Sequence, residues 1–387
     1  MTFRTRASYN TGMIAVLGLV LALASGVVAA AGAPTYASGD SPVVNISIAG
    51  GNVFVRTWNR PEVQVESTGQ VDVQLVGAQA VAAFLGPRQI SVFSPTVNTG
   101  RGPVTLPPEA FVLSSVSTAP HQGIVIKGKG GDTTITIPAS TAFLMARMPG
   151  RSITLEGYRS GTFFVQLRGG FVHLLDMGGD GFVQVTQGPI LAQDSSFTRL
   201  RARTGTGGIL FQRCNARQIE VSSIFGGIVY DNGLFEDGLA RFESQNGAVA
   251  IGIASGNAQL AAHSGAGRVF TNFERRVPID ARGGRTTASL GKGGPVVNVS
   301  AGRGVFLYDG AFDSKTKIGG AWKQFGGMLQ RMHERVAGPP RAGAQRAQPQ
   351  RAQPQKPQPP RVFFPARRAF PPPQMPRQHG RRPPGLL

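Results

Sequence analysis

The sequence predicts an all-β chain: a single β-solenoid with rungs of about 20 residues, closed by a short C-terminal helix and followed by a basic, proline-rich tail. An antiparallel β-sandwich is the alternative. Three observations lead there. The 387 residues include 53 Gly and 28 Pro and only 16% are charged, which disfavours long helices, while 41% apolar residues suffice for a sizeable core. Six glycines precede short apolar runs at nearly constant intervals. The formal charge of +20 is concentrated at the ends of the chain, so the middle is a different material from its flanks. Length allows one large or two ordinary domains. The single Cys excludes a disulfide scaffold and a Cys-rich zinc module.

At the N-terminus Arg4 and Arg6 precede an uncharged run from Met13 to Ala33, most apolar over Met13 to Ala24, and Ala29, Ala30 and Ala31 supply a small-residue cleavage site. This is the layout of a secretory signal over 1–33. An uncleaved membrane anchor is the alternative, because the 21 residues, at about 1.5 Å each, just cross a hydrocarbon core. The expected localisation is secreted, periplasmic or cell-surface.

The repeat domain spans 42–310. Gly161, Gly181, Gly208, Gly227, Gly247 and Gly267 lie 20, 27, 19, 20 and 20 residues apart. Two positions after each stand Phe163, Val183, Leu210, Val229, Val249 and Val269, a column expected to face the core. Glycine supplies the positive φ of a tight turn without a Cβ clash. Ahead of each glycine lies a second alternating run, among them Ile153-Thr-Leu155, Leu200-Arg-Ala202 and Leu260-Ala-Ala262, so each unit reads strand, turn, strand. Near-equal unit lengths favour rungs stacked about 4.8 Å apart. Asp180-Gly181 and Asn246-Gly247 are the hairpin-type turns that suit the sandwich.

The same signature is looser at Val44 to Trp58 and Val297 to Tyr308. Between these, 70–145 is irregular, with a short helix expected at Val81 to Leu85 and a strand at Thr134 to Pro138, and the Gly/Arg-rich 282–295 reads as a loop. Over 314–337 Trp322, Phe325, Met328, Leu329 and Met332 recur at helical spacing beside Lys323, Arg331 and Arg335. That pattern predicts an amphipathic helix capping the open end of the solenoid or, alternatively, lying on a membrane surface.

Ile48-Ala-Gly-Gly-Asn-Val-Phe-Val-Arg-Thr-Trp58 with Val63-Gln-Val65, the strand ending at Pro138 and the repeated strand, turn, Gly and apolar units together resemble the bacterial adhesin-like family of Gly-rich β-strand repeat domains of unknown function, over about 42–310. The resemblance implies an exported or membrane-tethered β-solenoid without assigned catalytic residues. The irregular 85–125 region, the 27-residue interval and the tail depart from that pattern.

Enzyme motifs are missing from the sequence. There is no G-x-S-x-G, H-E-x-x-H or P-loop, and Gly178-Gly-Asp-Gly181 has Val183 where a calcium nonapeptide has its ligating Asp. His121, His173, His263, His333 and His379 have no metal-ligand spacing. No catalytic, cofactor or metal residue is assigned. Cys214 beside Arg213 reads as a structural thiol. The repeat register stacks Glu156 and Asp176 on neighbouring rungs, with Arg203 next in the column, and places Glu243 and His263 alike in theirs. Stacked carboxylates are what a carbohydrate-active β-helix enzyme needs, and that alternative rests on these residues alone; surface ladder pairing is the plainer reading.

Residues 338–387 hold 14 of the 28 prolines, ten Lys/Arg and no acid, with Arg-Ala-Gln-Pro-Gln in tandem at 346–350 and 351–355. Such a segment cannot bury enough apolar surface to offset its chain entropy and is expected to be a disordered arm. Arg367, Arg368, Arg377, Arg381 and Arg382 are its candidate contacts to an anionic envelope polymer or membrane surface, with a solvated spacer as the alternative. No specific nucleic acid is implied. The expected function is an exported, non-enzymatic, adhesin-like or scaffold module of the cell envelope. A membrane-anchored, sensor-like exterior domain is a further alternative.

Overall fold

The computed structural model describes residues 33–309, apart from 86–88, 92–95, 100–101, 106–109, 113–120, 232, 254–256, 266–268, 272–279 and 283. The N-terminal 1–32, the expected helix at 314–337 and the tail lie outside the described residues. The chain divides into two units, Met1–Ala337 and Gly338–Leu387, and only the first contains described residues.

The first unit is all-β, built on a twelve-stranded and a thirteen-stranded sheet. Through its middle the chain visits the two alternately. One sheet collects short strands, Ile153–Glu156, Val172–Leu175, Ile190–Gln193, Ile209–Gln212 and Ile228–Asp231. The other collects longer ones, Thr162–Gly169, Gly178–Gln187, Ser196–Thr206, Asn215–Phe225 and Leu234–Ser244. We call them the narrow and the broad sheet. Neighbours here pair in parallel, and Val172, Ile190, Ile209, Ile228 and Val249, 18 to 21 residues apart, stand opposite one another in turn. A parallel pair needs a crossover, and each strand of one sheet serves as the crossover for the other. The hairpin that the sandwich alternative would place at Asp180-Gly181 is absent, since both residues lie inside the continuous strand Gly178–Gln187.

Strand alternation decides what is buried. Ile153, Val172, Ile190, Ile209, Ile228 and Val249 point inward from the narrow sheet against Val165, Val183, Ala202, Val221 and Phe242 from the broad one. β-Branched side chains are stiff at χ1 and stack well on a pleated surface. Rings thicken the core where rungs widen: Tyr230 lies 5.6 Å from Phe211 and 5.3 Å from Phe242, centroid to centroid. Each such buried ring contributes about 1.5–3 kcal/mol. The Tyr230 hydroxyl lies 2.8 Å from the carbonyl oxygen of Gly233 and 3.0 Å from that of Cys214, so its polar end is satisfied.

The predicted apolar column proves to be parts of several columns. Phe163 and Val183 both point inward from the broad sheet, but Phe163 stands opposite Gly181 and Val183 opposite Val165. A Cβ on Gly181 would come within 2.1 Å of Phe163 Cζ, so this glycine is the space that the ring fills and not a turn. Leu210 and Val229 lie in the narrow sheet and point away from the core, into a separate cluster with Leu191, Ala250 and Phe306. Val249 and Val269 both pair with Val305.

The cause is that each rung holds two strands and the glycine series begins on those of the broad sheet and continues on those of the narrow one, so the 27-residue interval marks a step from one sheet to the other. The glycines that stack at one corner are Gly170, Gly188, Gly207 and Gly226, all at positive φ. A Cβ on Gly188 would fall 1.6 Å from Gly170 O. Gly208 and Gly227 come one residue later, where their carbonyls accept hydrogen bonds from Ile190 and Ile209 at 3.0 and 2.9 Å. Gly247 packs on the same corner, 2.0 Å from Gly226 O at its would-be Cβ, whereas Gly161 makes room for the Tyr158 hydroxyl. Gly267 lies outside the described residues.

Sequence order and stacking order part company at both ends. Val43–Ala49 lies between Gly123–Lys129 and Phe143–Met148, and Val53–Trp58 between Thr133–Pro138 and Ile153–Glu156. Likewise Val296–Ala301 enters between Leu234–Ser244 and Ala258–Ser264, and Gly304–Asp309 between Ala248–Ile253 and Val269–Thr271. Beyond them lie antiparallel strands: Glu62–Ser67 in the narrow sheet and Gln70–Val76 in the broad one at one end, Arg285–Leu290 and Asp280–Arg282 of the broad sheet at the other, where the narrow sheet ends in the parallel strand Val269–Thr271. The expected loop at 282–295 therefore contains the second strand from the edge of the broad sheet, Arg285–Leu290. A short, antiparallel edge blunts the open ladder of a parallel sheet. The helix Ala78–Leu85 forms where a helix is expected and sets Val81 against Val43, Phe143, Met145, Phe164 and Phe182 on the outside of the broad sheet.

Candidate functional site

Glu156 and Asp176 do not form the expected stacked pair. Glu156 stands opposite Leu175, and Asp176 comes one residue later, at a corner whose successive residues are Gly157, Asp176, Asp194 and Arg213, with φ of 76°, 55°, 52° and 51°. Aspartate enters this left-handed region more readily than most residues, because its short side chain bonds locally. Both acids are matched by arginine. Asp176 accepts from Arg159 Nε at 2.9 Å, and Asp194 accepts from Arg213 Nε and Nη2 at 2.5 and 2.7 Å. The hydrogen bond from Arg213 holds Asp194 below the ordinary carboxylate range, and the same bond raises Arg213. These are exposed pairs, worth at most about 1 kcal/mol each. Arg203 lies in the broad sheet, opposite Gln184 and Ser222. Further pairs join neighbouring rungs at Arg199–Asp180, 2.5 Å, and Arg201–Glu220, 3.1 Å.

Cys214 is fully buried, and its Sγ donates to the carbonyl oxygen of Gln212 at 3.3 Å. Burial pushes its thiol up to about 12, so little thiolate is present near neutrality in spite of the adjacent Arg213.

The second pair singled out in the sequence falls in one row, two strands apart. On the outside of the broad sheet, near its C-terminal end, Glu243, Ser300, His263 and Arg285 stand opposite one another in a single row across four strands. The adjacent row is Arg241, Asn298, Ala261 and Thr287. Because alternate residues face opposite sides, Phe242, Val299, Ala262 and Thr286 between these rows are buried beneath them. The small side chain of Ala261 leaves a notch, and the rows line an open hollow of about 490 Å³. Glu243 is the one carboxylate among its lining residues, and Arg241 Nη2 lies 3.4 Å from Glu243 Oε2. Arg241, His263, Arg285, Asn298, Ser300 and Thr287 surround it with hydrogen-bond donors. Such a surface is suited to carboxylate, sulfate or hydroxyl groups of a ligand that stays partly in water.

Glu243 and His263 were visible as matched positions of two rungs. Arg241, Asn298, Ser300 and Arg285 were not, since strand Val296–Ala301 inserts between rungs adjacent in sequence, and Arg285 belongs to the segment that reads as a loop. Among the described residues no group of three His, Cys, Asp or Glu is placed to hold a metal ion, and no helix is long and apolar enough to cross a membrane. Arg367, Arg368, Arg377, Arg381 and Arg382 lie outside the described residues.

No family model matches the chain, and no curated protein does. Among solved structures, the crystal structure of a proposed cell adhesion protein from Clostridium sporogenes is similar over 70% of this chain and 92% of that one, at 8% identity and a TM-score of 0.19. At that distance no residue can be carried from one chain to the other.

Proposed function

We propose that the described body is a β-solenoid and that the protein is an exported, non-enzymatic module of the cell envelope, adhesin-like or scaffolding, which holds anionic or hydroxyl-rich polymer. The solenoid reading is supported by parallel rungs of 18 to 21 residues that alternate between two sheets. Export is supported by the signal-like 1–33. The observation that carries the binding role is the donor-rich hollow, in which Arg241 neutralises the one lining carboxylate while His263, Arg285, Asn298 and Ser300 face solvent or lie half-exposed on a rigid sheet. The sheet fixes the spacing of these donors before a ligand arrives, so the backbone needs no ordering on binding. The basic arm adds a long-range, salt-sensitive attraction to the same polymer.

The test is binding of the full chain to a purified acidic envelope polysaccharide at low and high salt. Arg241→Ala with Arg285→Ala is expected to weaken binding at both salts. Replacing Arg367, Arg368, Arg377, Arg381 and Arg382 by Ser is expected to weaken it mainly at low salt. Equal binding by all three chains would remove the proposal.

A further inference from the structure

The hollow changes in character across its four strands. Two of them are inner, Leu234–Ser244 and Val296–Ala301, and two lie toward the edge of the broad sheet, Ala258–Ser264 and Arg285–Leu290. At the inner end charge is cancelled in pairs: Arg241 Nη2 lies 3.4 Å from Glu243 Oε2, and on the strand before, Arg201 lies 3.1 Å from Glu220. Both carboxylates remain partly exposed, so an anion set down here meets an acid. Toward the edge the row of Glu243 continues as Ser300, His263 and Arg285, and Arg282 prolongs it on the last strand, with no acid among them; Asp280 prolongs the adjacent row. Arg285 is exposed and forms no ion pair among the described residues.

Apolar surface runs the other way. Leu239 and Val296 stand opposite each other on the two inner strands, two residues before Arg241 and Asn298 and so on the same face, about 7 Å off. They are 46% and 39% exposed, whereas the same row continues on the outer strands as the polar Gln259 and Ser289. Two aliphatic side chains left in water beside side-chain donors suit the C–H face of a sugar ring whose hydroxyls turn to those donors.

We propose that the hollow takes a glycan in which an acid-bearing sugar adjoins neutral sugars, laid across the strands with its acid group at Arg285 and its neutral part over Leu239, Val296, Asn298 and Ser300. This rests on the polymer-binding role proposed above and names the chemistry of the ligand. A guanidinium fits a carboxylate or sulfate in two parallel hydrogen bonds. Glu243 and Arg285 are three strand spacings apart, about 14 Å, which is longer than one sugar ring, so the acidic and the neutral sugar lie side by side. A uniformly acidic chain would set an anion against Glu243, and a neutral chain forgoes the contact with Arg285.

Three oligosaccharides of equal length, titrated calorimetrically against the full chain, test this: aldotetraouronic acid, with one uronic acid and three xyloses; xylotetraose, with no acid; and tetragalacturonate, acidic at every unit. Each chain carries Ser at Arg367, Arg368, Arg377, Arg381 and Arg382, which weakens attraction of the polyanion to the tail. Aldotetraouronic acid is expected to bind at least about tenfold more tightly than either of the others. Arg285→Gln should remove its advantage over xylotetraose, and Leu239→Ser should weaken both. Glu243→Gln should strengthen tetragalacturonate binding several-fold, a gain that a misfolded chain cannot mimic. Tightest binding of tetragalacturonate, equal binding of all three, or no gain with Glu243→Gln would overturn this inference and leave the polymer-binding role standing; binding of none would remove both.

Discussion

Between Phe143 and Ile253 each rung stacks on its neighbour in sequence, whereas at both ends of the body a rung from elsewhere in the chain is slipped in between. The two regions share residue types, sheets and core, and they differ in what fixes their lengths. In the middle, the two corners of a rung must lie over those of the rung before, so each turn of chain has nearly the same number of residues. At the ends, paired strands are far apart in sequence: Leu239 stands opposite Val296, 57 residues on. Nothing there couples length to stacking, and the added chain supplies the antiparallel edges and the wall of the hollow. Regularity is thus a property of sequential stacking and not of the β body as a whole.

Replacing core rings is the harshest way to break the middle. Phe211→Ala is expected to cost about 3–5 kcal/mol, read from the urea midpoint, while Val269→Ala at the partly exposed end strand should cost under about 1 kcal/mol. The corner glycines give a sharper contrast. Gly207 and Gly293 have the same φ of 125°, but a Cβ on Gly207 meets Gly188 O at 2.4 Å and one on Gly293 meets nothing within 4 Å. Gly293→Ala should therefore lose only the backbone strain, about 1–2 kcal/mol, and Gly207→Ala that amount plus a clash of about 1–3 kcal/mol.

Alkali should also act on the middle. Burial lifts the Cys214 thiol from 9.0 to about 12, so above pH 9 the unfolded chain releases a proton that the folded one retains. The stability is fully present below pH 9 and is lost progressively up to about pH 12, with buried Tyr158 and Tyr230 adding to the loss. Cys214→Ala should flatten the first part of that decline in denaturant melts run at stepped pH. The smallest effect is expected at the exposed corner posts: Arg213→Ala should change stability by less than about 1 kcal/mol, and a larger change would mean that the Asp194 corner organises the rungs more than its exposure implies.

Much of the middle could be read in the sequence because glycine and alternation are local signals with a period. That each rung has two strands was readable too, but not which strand followed which glycine. Gly170 precedes Phe171-Val-His and Gly188 precedes Pro189-Ile-Leu, short apolar runs like those after Gly208 and Gly227, so one regular series could be threaded through both sheets. The outward Leu210 and Val229 looked like core because apolarity marks burial and not the face on which it occurs. The hollow was half readable: Glu243 and His263 occupy like positions in successive rungs, while Ser300, which lies between them, arrives from a strand that no local pattern places there. Non-local insertion leaves no trace in periodicity.

That insertion bears on how the chain must assemble. Strands Leu234–Ser244 and Ala258–Ser264 follow each other at a spacing like that of every middle rung, and both are made before Val296–Ala301 exists to separate them. A chain that zipped up in order of synthesis would pair them directly and leave its last rung stranded outside, a compact but wrong product whose repair requires peeling a strand away. The native order thus implies either late docking of the last two rungs on a finished middle or a slow correction step. A refolding trace with a fast phase for the middle rungs and a delayed one at Val296–Tyr308 would be its kinetic signature.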